Sequence, residues 1–227
     1  MNAKVSAEEN YLDVRYSESA RPYTEYPGLL TRYLTEQYLR GFAGGRLLDL
    51  GSGRGEFLHG FARLGFRATG ADRSRPSRPR FPEPVFEVDY EKQRLPVADA
   101  SFDVIFNKSV FEHVHDISSV LNECKRVLVS GGRMISMVPD WNSQFRHFYD
   151  DWTHVRPFTL TGLKECLLSH GFQVRSAVRF RQLPFLWERP YLRPLADAAT
   201  LLPSPFKRFK FVRFSQEWML LVVADKP

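Results

Sequence analysis

The segment that most constrains the fold of this 227-residue chain surrounds three closely spaced glycines at positions 51, 53 and 55. A short apolar run, Arg46-Leu47-Leu48, precedes them, and apolar residues at helical spacing follow from Phe57 to Leu64. A strand, a glycine-dense turn and a helix form the first unit of a nucleotide-binding α/β sheet. Because glycine has no Cβ atom, backbone N–H groups in such a turn can approach a ligand closely. The segment therefore predicts a ligand-binding loop at the end of a first strand.

The spacing of the glycines narrows the class of ligand. A dinucleotide-binding loop needs Gly-x-Gly-x-x-Gly, but Glu56 stands where the third glycine would be, which disfavours an NAD-dependent oxidoreductase. An acid, Asp49, lies two positions before Gly51. This pattern resembles motif I of the class I S-adenosylmethionine (SAM)-dependent methyltransferases.

Three further segments occur in the order expected of that family. The run 66–72 predicts a second strand ending in Asp72, about 20 residues beyond the loop, where a ribose-binding acid is expected. The run 85–89 predicts a third strand ending in Asp89, and a fourth strand continues into Asn107 and then the pair Glu112-His113. The resemblance covers residues 25–180 and is closest to the small-molecule branch of the family.

The resemblance implies roles for individual residues. Gly51, Ser52 and Gly53 are expected to cradle the methionine end of SAM, with Asp49 fixing the loop and reaching the ammonium group. Asp72 is expected to bind the ribose. The predicted cofactor-binding residues are Asp49, Gly51, Ser52, Gly53, Asp72 and Arg73, then Asp89 and Tyr90 at the adenine, and Asn107, Ser109 and Val110 on the opposite wall.

The rest of the chain alternates strands and helices, which predicts a Rossmann-like, doubly wound, mostly parallel α/β sheet. Helices are expected at 26–39, at 117–128 after an Asp116 N-cap with Gly131-Gly132 as its stop, and at 159–170; strands are expected at 132–138, 172–180 and 217–224. The family implies seven strands with an antiparallel last strand. Residues 75–84 have too many prolines for a regular helix, so the crossover helix there is predicted to be missing or reduced.

The whole chain, 1–227, is predicted to be a single methyltransferase domain. Within it we expect a helical lead-in at 1–45, a SAM-binding core at 46–180, a basic and aromatic cap insert at 181–216 and the last strand at 217–227.

Residues 139–159 follow the fifth strand and are rich in aromatic, acidic and histidine side chains, a composition typical of an acceptor site. The part that begins at Asp151 resembles a segment of methyltransferases from bacterial polysaccharide and natural-product clusters. A hydroxyl acceptor needs a base, and histidine titrates near neutrality. The candidate catalytic residues are His154, Asp151 and Asp150.

Two other interpretations of this segment stay open. His154 could simply brace the loop, or it could bind a divalent metal with Asp150 and Asp151, although no remote third acid supports a metal and none is predicted. Among the other histidines, His113 is expected to shape the SAM site, whereas His59 and His170 lie at structural positions of helices.

The net charge of +6 and the pI near 9.4 come largely from basic residues at 73–80 and 175–213, and at 206–214 the basic residues alternate with phenylalanine. Such a surface can be a solvated face, can lie on an anionic membrane or can bind RNA. Strand four continues as Asn107-Lys108-Ser109-Val110 rather than as the Asn-Pro-Pro-Tyr type that holds a flipped base, which disfavours nucleic acid as a partner.

The N-terminal residues lack the apolar core of a signal peptide, and no apolar run reaches transmembrane length, so a cytoplasmic protein is expected, at the inner face of the membrane if the insert contacts lipid. The two cysteines, Cys124 and Cys166, are predicted to be reduced and buried.

The sequence predicts a SAM-dependent O-methyltransferase that modifies a hydroxyl of a sugar, a glycan or another small polar acceptor. An RNA methyltransferase and a non-catalytic SAM-binding module are the alternatives.

Overall fold

The computed structural model of the chain describes residues 17–19, 21–74 and 79–227. In this part of the chain the strands are β1 (Arg46–Leu50), β2 (Arg67–Asp72), β3 (Val85–Glu87), β4 (Phe102–Lys108), β5 (Leu128–Pro139), β6 (Gln173–Arg181) and β7 (Trp218–Asp225). The α-helices are α1 (Tyr26–Tyr38), α2 (Glu56–Arg63), α3 (Ile117–Val127), α4 (Trp141–Gln144), α5 (Leu160–Ser169), α6 (Pro184–Glu188), α7 (Arg193–Ala199) and α8 (Lys210–Gln216). Short 3₁₀ helices lie at Arg40–Phe42, Phe111–His113, Phe148–Asp150, Pro190–Leu192 and Ser204–Arg208.

The seven strands form one mixed sheet in the order β3-β2-β1-β4-β5-β7-β6. Strand β1 pairs in parallel with β2 and with β4, and β2 pairs in parallel with β3. Strand β7 runs antiparallel to β6, with Met219 opposite Phe180. The predicted seven-stranded, mostly parallel sheet with an antiparallel last strand is therefore confirmed.

The helix signals in the sequence match the helices of the structure. The Asp116 side chain accepts a hydrogen bond from the Ser119 N–H at the start of α3, and the Thr159 side chain accepts one from the Gly162 N–H at the start of α5. These N-caps satisfy backbone donors that have no partner inside the helix. Gly171, two residues after the end of α5, has a φ of 77°, which glycine adopts without strain.

Two predicted boundaries are wrong. Helix α3 ends at Val127, and Gly131-Gly132 lies inside β5 rather than stopping the helix. The reason is tertiary, because the Gly131 N–H donates to the Lys226 carbonyl and the Lys226 N–H donates to the Gly132 carbonyl. Strand β3 ends at Glu87, two residues before Asp89, although the Val88 N–H still donates to the Asp72 carbonyl over 2.8 Å.

The proline-rich connection before β3 has no helix between residues 79 and 84, as the prolines predict. The prediction for residues 75–78, and the one for residues 1–16 of the N-terminal lead-in, fall outside the described residues.

The chain divides into two compact units. The first unit contains the residues up to Asn107, Asp116–Met134 and Lys226, and its core includes Leu47, Phe61 and Phe106. The second unit contains Lys108–His115 and Ile135–Asp225, and its core includes Met137, Leu163 and Leu221.

The segment between β6 and β7 is helical and contains α6, α7 and α8. Leu183, Leu186 and Ala196 are buried there, and Phe214 packs against them, so the segment has a small core of its own. No helix in the described ranges is both long and apolar enough to cross a membrane. Cys124 and Cys166 are free thiols, the first buried and the second half-buried.

Candidate active site

The glycine-rich loop lies at the carboxyl end of β1, in the first unit. The N–H groups of Gly51 and Ser52 donate to the Ala71 carbonyl at 2.7 and 3.3 Å, and the Gly55 N–H donates to the Ser52 carbonyl at 2.9 Å. Gly53 has a φ of +52°, and no atom of the described residues lies within 4 Å of the position that a Cβ would occupy. The loop therefore exposes backbone in a conformation that other residues rarely adopt.

Gly70, a glycine within β2 that the sequence analysis did not single out, allows the loop to pack on this strand. A Cβ atom at Gly70 would come within 2.6 Å of the Ser52 hydroxyl oxygen. The available signal was a glycine inside a strand, which often marks a close approach of backbone. Gly70 is thus required for the position of the loop.

Two buried polar atoms at the loop have no hydrogen-bond partner within the described residues: Asp49 Oδ2 and Ser52 Oγ. Burial, and then the nearby charge of Asp72, raises the pKa of Asp49 well above its ordinary value. A buried polar atom without a partner is costly, and a ligand that offers a donor or a positive charge would satisfy it. The ammonium and sulfonium groups of SAM fit this requirement.

The carboxylate of Asp72 is bound to the same loop. It accepts the Gly53 N–H over 2.7 Å and the Ser74 N–H over 3.3 Å. Burial raises the pKa of Asp72, although these N–H groups favour its charged form. Asp72 therefore supports the loop in addition to its predicted contact with ribose.

Arg73, Asp89 and Tyr90 lie together. The Arg73 guanidinium forms an ion pair with Glu91, lies 3.4 Å from Asp89 and lies over the Tyr90 ring at 5.4 Å. Burial acts to raise the pKa of Asp89, but the Lys92 ammonium and the Arg73 guanidinium outweigh it and hold this pKa below its usual value. Burial raises the pKa of the Tyr90 hydroxyl. Their assignment to the adenine stays a prediction.

The residues at the end of β4 and directly after it include one with a strained backbone. Asn107 and Val110 are buried, and Ser109 has a φ of 57°, which is uncommon for a residue other than glycine. The Ser109 N–H donates to the Met137 carbonyl over 2.8 Å, which holds that conformation. Strain of this kind is frequent at functional sites, and the place of these residues in the cofactor site stays a prediction.

In the second unit, the ring of His154 is oriented by a backbone carbonyl. His154 Nδ1 lies 2.6 Å from the Phe148 carbonyl oxygen, and the ring packs on that of Phe148 at 4.5 Å. Because a carbonyl can only accept, Nδ1 donates and Nε2 becomes the basic nitrogen. His154 Nε2 lies 4.0 Å from Asp151 Oδ2, so the structure brings these two candidate residues together.

His113 lies beside His154 and is oriented by two further residues. The two ring centroids are 4.7 Å apart. His113 Nδ1 lies 2.9 Å from the Thr153 hydroxyl oxygen, which donates to Asp151 Oδ1 over 2.6 Å. The sequence singled out neither Thr153 nor this chain of hydrogen bonds.

Glu112 precedes His113 in the chain and belongs to the same cluster. Its carbonyl accepts the N–H groups of Val155 and Arg156 at 2.8 and 3.0 Å, which ties the segment that carries His154 to the 3₁₀ helix that carries His113. The Glu112 side chain is 1% exposed, and burial raises its pKa to about 8. Glu112 was recognised in the sequence only as part of a motif, because burial cannot be inferred from a Glu-His pair.

Asp150 has different surroundings. Its side chain is exposed and lies 3.2 Å from His147 Nδ1. Its predicted catalytic role stays a prediction. Of the other histidines, His59 Nδ1 lies 2.7 Å from Glu83 Oε1 and His170 Nδ1 lies 2.7 Å from the Cys166 carbonyl oxygen, and their structural role stays a prediction.

Several aromatic side chains lie in the segment 139–159, which carries His154. The ring of Trp141 lies within 6.3 Å of the rings of Phe145, Phe148 and Tyr149. Tyr149 is 59% exposed and Trp152 is 68% exposed. Exposed aromatic rings beside oriented histidines can bind the ring of an organic acceptor.

One family model, whose description is "Methyltransferase domain", matches residues 21–177. The chain belongs to the class I SAM-dependent methyltransferases. The cofactor of this methyltransferase is SAM.

Curated relatives of the methyltransferase are named "Ubiquinone biosynthesis O-methyltransferase". The protein from Maricaulis maris is 36% identical over 104 residues, which are 42% of this chain and 41% of that protein. The protein from Ruegeria pomeroyi is 38% identical over 103 residues, 42% of each chain. The aligned region thus spans about two fifths of these relatives.

Solved structures confirm the fold. A SAM-dependent methyltransferase from Archaeoglobus fulgidus matches with a TM-score of 0.63 and 19% identity over 93% of this chain and 98% of that one. One from Mesorhizobium loti matches with a TM-score of 0.62 and 18% identity over 89% and 97% of the two chains.

Proposed function

We propose that the methyltransferase transfers a methyl group from SAM to a hydroxyl oxygen of a sugar, a glycan or another small polar acceptor. The observation that carries this proposal is the orientation of His154, whose Nδ1 is held by the Phe148 carbonyl so that Nε2 is basic. A base of this kind is needed for a neutral hydroxyl and not for a thiolate or a free amine.

The cofactor residues act by binding and positioning. Asp49, Ser52 and Gly53 would hold the methionine end of SAM, because two of them have buried atoms without partners and the third leaves its Cβ direction open. Asp72 would hold the ribose hydroxyls. The cofactor supplies an electrophilic methyl group on a sulfonium sulfur. Correct placement of the reactants accounts for much of the rate of such displacements.

The proton of the acceptor hydroxyl would pass to His154 Nε2. Asp151, whose Oδ2 is 4.0 Å away, would stabilise the imidazolium that results. The hydroxyl oxygen then forms the new bond to the methyl carbon. His154 would release the proton to solvent before the next turnover.

Two observations support a hydroxyl on a ring-shaped acceptor. The relatives that match over two fifths of their length are named as O-methyltransferases. In addition, Tyr149 and Trp152 expose aromatic faces on the segment that carries His154. The polysaccharide character of the acceptor rests on the resemblance of residues 151–159 to glycan and natural-product methyltransferases.

A screen with radiolabelled SAM tests the proposal. Nucleotide sugars, oligosaccharides, small phenols and tRNA would be offered separately, and the site of methylation in the product would be found by mass spectrometry. We expect O-methylated sugar or another O-methylated small molecule. Incorporation into tRNA alone would instead support the RNA alternative, and SAM binding without any transfer would support a non-catalytic module.

We also propose that the helical insert between β6 and β7 places the protein on an anionic membrane, at the cytoplasmic face. Residues 181–216 contain seven basic and two acidic side chains. The large apolar side chains exposed in this segment are Tyr191, Leu195, Leu201, Leu202, Phe206, Phe209 and Phe211. Basic side chains among exposed apolar ones are typical of segments that lie in the headgroup region.

A further inference from the structure

We propose that Glu112, His113 and His154 form a binding site for one divalent transition-metal ion, with Zn²⁺ as the best match. One ligand atom from each of the three side chains can be chosen so that all three lie within 4.8 Å of one another. All three residues belong to the second unit. The set differs from the oxygen-rich group of Asp150, Asp151 and His154 considered from the sequence.

The two histidines are oriented as metal ligands are. His154 Nδ1 donates to the Phe148 carbonyl oxygen over 2.6 Å, and His113 Nδ1 lies 2.9 Å from the Thr153 hydroxyl oxygen. In metal sites the ring nitrogen that does not bind the ion usually bonds to a carbonyl, a carboxylate or a similar oxygen, which fixes the tautomer and the ring orientation. Here Asp151 continues that outer layer through Thr153.

The carboxyl group of Glu112 supplies the second, independent observation. Both of its oxygens are buried and make no hydrogen bond of standard geometry with the described residues, although the Ser109 hydroxyl and the Glu112 N–H lie near enough to favour the charged form. A buried carboxyl group without partners is unfavourable unless a ligand satisfies it. A cation bound by the two imidazoles would provide that partner.

The ligand types select the ion. Two imidazole nitrogens and one carboxylate are the protein ligands of several catalytic zinc sites, whereas Mg²⁺ prefers oxygen ligands. With three protein ligands, one coordination position stays open for a water or a hydroxyl oxygen.

The ion would occupy Nε2 of His154, so ion binding and the role of this imidazole as a base are alternative states of one site. The statement that ion binding competes with the base role of His154 rests on the proposed methyl transfer. The ion site itself does not rest on it. A bound cation lowers the pKa of a coordinated hydroxyl, so the ion would favour the same deprotonation that His154 performs without it.

The test is Zn²⁺ binding to the full chain after treatment with a chelator. Isothermal titration and elemental analysis should give one ion per chain, and Co²⁺ in place of Zn²⁺ should give visible absorption typical of nitrogen and oxygen ligands. Glu112→Gln and His154→Ala should each weaken Zn²⁺ binding at least 100-fold. Thr153→Val should weaken it about 10- to 100-fold, as expected when an outer partner of a ligand is removed.

His147→Ala is the matched control, because His147 is an exposed histidine of the same segment and should leave Zn²⁺ affinity unchanged. Circular dichroism would establish that each variant is folded; if Glu112→Gln is not, the His154→Ala titration and the Co²⁺ spectrum of the parent protein decide. Absence of a stoichiometric Zn²⁺ site in the parent, or equal affinity in His154→Ala, would overturn the proposal.

Methyl transfer is measured separately in the same preparations. Zn²⁺ binding without methyl transfer to any hydroxyl acceptor would leave the ion site standing and remove the proposed function. Methyl transfer by a protein that binds no Zn²⁺ would support the proposed function and remove the ion site.

Discussion

Asp72 connects the glycine loop to β2 through a single carboxylate. It accepts the Gly53 N–H over 2.7 Å, and its predicted partners in the cofactor are the ribose hydroxyls. Asp72→Ala should weaken SAM binding by about 1–3 kcal/mol, the scale of charged hydrogen bonds whose partners are left unsatisfied. Isothermal titration with SAM measures the change.

Glu87→Ala is the control for this substitution, since Glu87 also ends a strand of the first unit but is exposed. It should leave SAM affinity unchanged. Equal SAM affinity in Asp72→Ala and the parent protein would remove Asp72 from the ribose site.

The second residue-scale prediction concerns His154. If its Nε2 removes the acceptor proton, His154→Ala should bind SAM as the parent does and lose about 10²–10⁴-fold in turnover. The pH–rate profile of the parent should rise through the range near neutrality where an imidazole loses its proton, and the variant should lack this limb. Steady-state kinetics across pH measure both effects. His147→Ala should keep the profile, and full activity in His154→Ala would return His154 to a structural role.

At the scale of elements, backbone contacts hold together the two ends of the segment between β5 and α5. Asp140 forms a backbone bridge with Phe158, and the Trp141 N–H donates to the Phe158 carbonyl over 2.9 Å. The Asp140 carboxylate is buried and accepts from Arg179 Nε at 2.7 Å. A loop held in this way can position side chains for binding without being part of a regular element.

The helical insert leads to a prediction at the same scale. Arg208 and Lys210 are exposed, whereas Lys207 is partly buried and lies 4.0 Å from Glu217. The double substitution Arg208→Glu and Lys210→Glu should therefore reduce sedimentation with anionic vesicles at least tenfold, since each basic residue near such a surface contributes about 1 kcal/mol. Salt near 1 M, where the Debye length is about 3 Å, should release the parent protein.

Arg63→Glu with Lys164→Glu is the matched control, because both side chains are exposed basic residues outside the insert. That control should sediment as the parent does. Vesicle binding that responds neither to salt nor to the substitutions in the insert would contradict the proposed membrane contact.

For the molecule as a whole, SAM binding is coupled to stability. A ligand present at 100 times its dissociation constant stabilises the native state by about 2.7 kcal/mol. For a chain of this size, this corresponds to a rise in Tm of about 5–10 °C. Far-UV circular dichroism would follow the whole chain, whereas tryptophan fluorescence follows the second unit alone, because Trp141, Trp152, Trp187 and Trp218 all lie in it.

We expect both signals to shift together, although most predicted SAM-binding residues lie in the first unit. The reason is connectivity, since β5 continues from the first unit at 128–134 into the second at 135–139. A SAM-dependent shift in circular dichroism without one in fluorescence would show that the two units unfold independently.

Local signals in the sequence predicted the order of elements. Apolar runs located the seven strands within a few residues, Asp116 and Thr159 indicated helix starts, and the Asp49 to Gly55 pattern indicated the loop. Such features depend on residues close together in the chain, where periodicity and capping chemistry are strong. Gly131-Gly132 was misread because its hydrogen-bond partner, Lys226, is remote in sequence.

The histidine cluster depended on tertiary structure. Nothing in the sequence indicates that Thr153 links His113 to Asp151, or that both oxygens of Glu112 are buried without a hydrogen bond of standard geometry to the described residues. These contacts join segments about 40 residues apart, through backbone hydrogen bonds from Val155 and Arg156 to Glu112. The sequence by itself determined the family, the sheet and the cofactor loop, because each is encoded by neighbouring residues. Tertiary structure decided which side chains meet around His154, because that depends on how remote segments pack.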